Sequence, residues 1–167
     1  KALKIKKELN EPEGIATALK SIGIIYYLKG QYKQAMVFHK KSLKVRKVTG
    51  YKVGEAKSLR HIGDTFKKIG DYDQAVDSYK ESLGIMQSIE DYDESSKIMN
   101  KLGNVYRKMG KYEKALTILL KAEEINVLEK MNKGTNDLCF KCGKPGHFAI
   151  NCTNKLDDKA KPIDCWQ

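Results

Sequence analysis

Apolar and small positions recur along this chain with a period of 40 residues. Ile22-Gly23, Tyr26, Gly30-Gln31-Tyr32 and Ala35 are matched by Ile62-Gly63, Phe66, Gly70-Asp71-Tyr72 and Ala75. A third copy reads Leu102-Gly103, Tyr106, Gly110-Lys111-Tyr112 and Ala115. Within a copy, Leu19, Ile22, Gly23 and Tyr26 fall at i, i+3, i+4 and i+7, one apolar stripe of a helix. Gly30 ends that helix, and Tyr32, Ala35, Met36, His39 and Leu43 resume helical spacing. So short a connection makes the two helices antiparallel neighbours. The pattern predicts an all-α fold, a solenoid of stacked helical hairpins. Gly23, Gly63 and Gly103 stand inside the first helices, each at a cost of ~1 kcal/mol against Ala. Their recurrence predicts close helix approach, with Ala35, Ala75 and Ala115 as the matching small face.

These positions resemble the tetratricopeptide repeat, in a variant with a lengthened second helix and loop. Other helical-hairpin arrays, such as Sel1-like repeats, fit the Gly-x-Tyr-x-x-Ala spacing less well. The sequence departs from the usual repeat at Leu19, Leu59 and Met99, where a large aromatic is common, and it lacks the closing Pro. The replacements stay apolar or fall in loops. The resemblance covers residues 1–132, with repeats at 15–54, 55–94 and 95–132. Lys1-Ala2-Leu3-Lys4-Ile5 aligns with Lys41-Ser42-Leu43-Lys44-Val45, so residues 1–14 are expected to be the end of an earlier repeat.

The resemblance also implies that the first helix of each hairpin lines a ligand groove. The family's groove positions fall on Thr17, Lys20, Ile24, Tyr27 and Leu28 in the first copy. They fall on Lys57, Arg60, Asp64, Lys67 and Lys68 in the second, and on Lys97, Asn100, Asn104, Arg107 and Lys108 in the third. Eight of these fifteen are basic and one is acidic. Such a groove implies a protein partner or acidic extended peptide, with Asn100 and Asn104 available to its backbone. Ile24 stands where the carboxylate clamp of some relatives needs Asn, so a chaperone partner is not implied.

Charge sharpens this picture. The net charge of +11 lies in the repeats: residues 1–54 carry +10, 55–94 carry −5, 95–134 carry +5 and the remainder +1. For any single lysine, a solvated helix face is the ordinary explanation. No apolar run approaches the ~18 residues of a membrane span, and neither a membrane partner nor a signal peptide is expected. All four cysteines lie beyond residue 138. That placement favours a reducing, intracellular setting, cytoplasmic or nuclear, with a metal site in place of a disulfide framework.

After Gly134-Thr135-Asn136 the helical pattern stops, and residues 133–138 read as a linker. Cys139, Cys142, His147 and Cys152 then follow as C-x2-C-x4-H-x4-C. Three thiolates and an imidazole suit tetrahedral Zn²⁺. So short a segment cannot bury a core, and the metal must supply its folding energy. Four protein ligands leave no open position for catalysis. Residues 139–152 resemble the retroviral-type CCHC zinc knuckle at all four ligands and at Gly143 and Gly146. The resemblance implies contact with single-stranded RNA or DNA, with Phe140 and Phe148 as a stacking platform and Lys141 and Lys144 beside them. Stacking on an aromatic is worth roughly 1–3 kcal/mol per base; shielding of the zinc is the competing role for the two rings. Ile150 occupies a place often basic in relatives, so phosphate attraction here is thin. Beyond a polar linker at 153–164, Cys165-Trp166-Gln167 is expected to open a second knuckle, cut short at Gln167.

No nucleophile–base pair, phosphate loop or paired-carboxylate site is present in the sequence. His39 sits at a packing position and His61 on a helix surface, both structural. The sequence therefore reads as a non-enzymatic adaptor, its repeats holding a peptide and its knuckle a single strand. One rival is a purely protein-binding scaffold whose knuckle docks another protein. Another is a nucleic-acid binder throughout, whose basic repeats also grip phosphates.

Overall fold

The computed structural model describes residues 2–134, with side chains for 12–129. Six helices run in order: α1 (Ala2–Leu28), α2 (Tyr32–Thr49), α3 (Lys52–Ile69), α4 (Tyr72–Ser88), α5 (Tyr92–Lys108) and α6 (Tyr112–Gly134). Among the described residues there is no strand, and the all-α hairpin-repeat architecture stands. The chain divides into compact units at 1–122 and 123–167; the packing below belongs to the first. Within it α1 packs on α2, α2 on α3, α3 on α4 and α4 on α5. The stretch expected to end an earlier repeat runs into α1 without a break, with Pro12 inside the helix.

Local chemistry fixes the helix ends. Asp71 and Asp91 cap α4 and α5, their carboxylates accepting from the Gln74 and Glu94 backbone N–H groups at 3.2 and 3.0 Å. Helix α2 ends at Gly50, with φ +70°. One period later the same place is held by Glu90 at φ +58°, a left-handed conformation that a side chain makes costly.

The helical glycines admit large side chains from the second helix of their own hairpin. A Cβ on Gly23 would lie 2.5 Å from two ring atoms of His39, and one on Gly63 2.8 Å from Tyr79. One on Gly103 would lie 2.6 Å from Leu119. The expected matching face is corrected: the side chain nearest each glycine belongs to the residue sixteen places on, not to Ala35, Ala75 or Ala115. Those alanines are buried. The missing Cβ makes room for a bulky group that two small faces would have left out.

Buried polar bonds repeat as well. Ser42 Oγ donates to the Ala16 carbonyl at 2.7 Å, and Ser82 Oγ donates to Ala56 at the same distance. Arg46 is buried between hairpins, paired with Glu13 at 2.8 Å and donating to the Gly54 carbonyl and Ser58 at 3.1 Å. One face breaks the symmetry. Glu55, Ser58, Ile62 and Thr65 of α3 are buried, as are Ser95, Ile98, Leu102 and Val105 of α5. Their counterparts Ile15, Ile22 and Ile25 on α1 are 56%, 37% and 53% exposed.

Candidate functional site

The first helices of the hairpins bring their groove positions together around a cavity of about 250 Å³. Ile24, Tyr27 and Leu28 of α1 form one wall; His61, Asp64 and Lys67 of α3, Lys101 of α5 and His39 of α2 complete it. Five of these eight are positions that the repeat resemblance assigns to the groove. His39, His61 and Lys101 are the additions.

The histidines form a stacked pair, with ring centroids 5.2 Å apart and planes inclined by 17°. Burial lowers the pKa of His39 to about 4. Burial, followed by the Arg60 charge, lowers His61 to about 3. Both rings are therefore neutral at pH 7, which lets them stack without charge repulsion. His61, expected on the helix surface, is only partly exposed; its neighbour from α2 covers it, a contact no helical wheel contains.

Asp64 is the one buried anion of the cavity. Its Oδ1 accepts from Tyr79 Oη at 2.6 Å and from Lys101 Nζ at 2.8 Å. Burial alone would raise its pKa, but these two bonds together with the charges of Lys101 and Lys67 hold the carboxyl below the usual range. The Tyr79 phenol is pushed up by burial and by the Asp64 charge. At the rim, burial lowers the pKa of Lys67.

The predicted groove cations divide into two groups. Arg60 has its Nε 2.9 Å from Glu94 Oε1, and Lys97 bonds Asp93 one turn away, so both have an ion pair within the protein, the second of them solvent-exposed. Lys57, Lys67, Lys68, Arg107 and Lys108 have no ion pair among the described residues. Neither does Lys20, whose pKa is lowered by burial and then by the nearby charges of Arg46, Lys57 and Arg60. Asn104 is engaged along its own helix: Nδ2 donates to the Asn100 carbonyl at 3.0 Å, and Oδ1 accepts from Arg107 at 3.3 Å. The Asp93–Lys97 pair was readable from i,i+4 spacing. The Arg60–Glu94 and Asp64–Lys101 pairs needed the α3–α5 juxtaposition.

Cys139, Cys142, His147 and Cys152 lie outside the described residues, as do Phe140, Lys141, Lys144, Phe148 and the Cys165-Trp166-Gln167 terminus. Their Cys₃His donor set is one that suits zinc. Among the described residues, no group of three or more metal-ligating side chains could hold an ion.

Helical hairpins at a fixed 40-residue period define a helical-repeat protein. Residues 14–88 and 54–126 match the tetratricopeptide repeat, and the chain belongs to that family. Residues 137–154 match the zinc knuckle, a family that implies zinc binding. Among solved structures, the chain is similar to BtubC (BKLC) from P. vanneervenii, at 22% identity and a TM-score of 0.67. That match covers 92% of this chain and 60% of the other. It is also similar to aspartyl phosphate phosphatase F from Bacillus subtilis, at 15% identity and a TM-score of 0.64, covering 74% of this chain and 34% of that one. At these identities the likeness is one of fold. No curated protein matches the chain. No helix among the described residues is long and apolar enough to cross a membrane.

Proposed function

We propose that this protein is an intracellular, non-enzymatic adaptor. Its repeat groove binds an acidic extended peptide, and its knuckle binds single-stranded RNA or DNA. The observation that carries the groove reading is the set of cations on α3 and α5 with no ion pair among the described residues: Lys57, Lys67, Lys68, Arg107 and Lys108. Solvated lysines at scattered positions steer little. Several of them along one groove attract an extended anion and set its register. Arg60 and Lys97 act mainly on their own carboxylates, Glu94 and Asp93.

In the knuckle, Cys139, Cys142, His147 and Cys152 would hold the zinc, which supplies the folding energy of the segment. Phe140 and Phe148 stack on an unpaired base, and Lys141 and Lys144 meet the phosphates. The groove reading is tested by titrating a labelled poly-glutamate peptide into wild type and into a Lys57→Glu/Arg107→Glu variant. Reversal is expected to abolish binding with helicity unchanged. Equal binding by both proteins would make these cations a solvated surface only.

A further inference from the structure

The groove changes character along its length. Ile24, Tyr27 and Leu28 of α1 stand at the positions of Asp64, Lys67 and Lys68 on α3, and of Asn104, Arg107 and Lys108 on α5. One end is thus apolar and aromatic where the rest is polar and cationic. Leu28 is 77% exposed at the rim of the cavity, and the stacked His39–His61 pair contributes two flat rings to its lining. Asp64, the only acidic group there among the described residues, already accepts from both Tyr79 and Lys101. A cavity of about 250 Å³ has room for one aromatic side chain.

From this we infer that the ligand is bipartite: one aromatic side chain seats in the cavity between Ile24, Leu28 and the His39–His61 pair, and acidic residues follow along α3 and α5. The inference rests on the groove reading and names what that reading leaves open. An aromatic group gains ring contacts with the imidazoles and removes the exposed wall of α1 from water. A carboxylate in the same cavity would face the Asp64 charge and two neutral imidazoles, with Lys101 already bonded to Asp64 and Lys67 left to attract it. The acidic run instead meets Lys67 and Lys68 on leaving the cavity.

The test compares two labelled peptides by fluorescence anisotropy, a glutamate run preceded by phenylalanine and the same run preceded by alanine. Wild type is expected to favour phenylalanine by about tenfold or more. The variant Ile24→Asn/Leu28→Lys places the third repeat's own residues on α1, at positions that are not buried. It is expected to bind both peptides equally, with the alanine peptide bound at least as tightly as by wild type. If wild type binds both peptides equally, the aromatic seat is wrong and the acidic groove stands. If it binds neither, the groove reading falls and takes the inference with it. Retained preference for phenylalanine in the variant would also overturn the assignment, because the seat would lie elsewhere.

Discussion

The first and second hairpins follow one plan with different chemistry. Each seats a large ring against a glycine and each ties its helices with a serine-to-carbonyl bond. Beneath Gly23 the ring is His39, held neutral and stacked on a second imidazole; beneath Gly63 it is Tyr79, tethered to a buried carboxylate. On the groove face the first hairpin offers Ile24, Tyr27 and Leu28, where the second offers Asp64, Lys67 and Lys68. The positions that hold the repeat together keep their size, and the groove positions do not keep their polarity. Packing limits volume at a glycine contact, whereas a solvated groove position is limited only by what it must recognise.

The largest way to break the comparison is to fill the glycine contact. Gly63→Val is expected to cost about 1–3 kcal/mol, by overpacking against Tyr79. Gly84 is exposed in α4 with nothing within 4 Å of a Cβ, and Gly84→Ala is expected to stabilise by ~1 kcal/mol. Urea denaturation of the two variants checks both signs. A Gly63→Val variant no less stable than Gly84→Ala would mean that Gly63 has no special contact.

Tyr79→Phe separates the rings themselves. It keeps the volume against Gly63 and removes one donor from Asp64, at a cost of roughly 1–3 kcal/mol. His39→Leu gives the first hairpin the third hairpin's residue at that place, Leu119. It loses no hydrogen bond to another described side chain and is expected to cost less than Tyr79→Phe. Thermal melts rank the pair.

Acid sharpens the same contrast. The folded pKa values of His39 and His61, about 4 and about 3, lie below the unfolded value, so the unfolded chain binds protons first. Stability is therefore full above about pH 6.5 and falls as pH drops toward pH 4, by up to ~1.4 kcal/mol per pH unit for each ring. Asp64 loses its contribution only lower, as pH falls through its depressed pKa. Denaturation across this range should show a His39→Leu/His61→Phe variant losing less than wild type; equal slopes would contradict burial of the pair. The smallest effect on the helices is expected from the knuckle. Cys142→Ser should release one zinc per chain while leaving the helical circular dichroism unchanged, because repeats contact only their neighbours.

Much of this was legible in the sequence. The hairpins, their order and the helix-ending glycines follow from the period and from turn chemistry. So does the presence of a packing constraint at Gly23, Gly63 and Gly103. The identity of its partner was not legible, because a one-dimensional pattern shows that a place is small without showing what enters it. The groove positions were marked by the family pattern, but Arg60–Glu94 and Asp64–Lys101 join residues more than thirty apart and cancel charge that a count along one helix keeps. The His39–His61 stack escaped for the same reason: its members lie on different helices, and each alone reads as structural.

The proposed division of labour gives the peptide to the repeats and the single strand to the knuckle. A competition titration tests it most directly. Labelled single-stranded RNA is bound to the zinc-loaded protein, and unlabelled acidic peptide is added to saturation. The RNA signal is expected to stay if the two ligands use separate surfaces. Displacement of the RNA by the peptide would contradict it and would place the nucleic acid on the basic repeats.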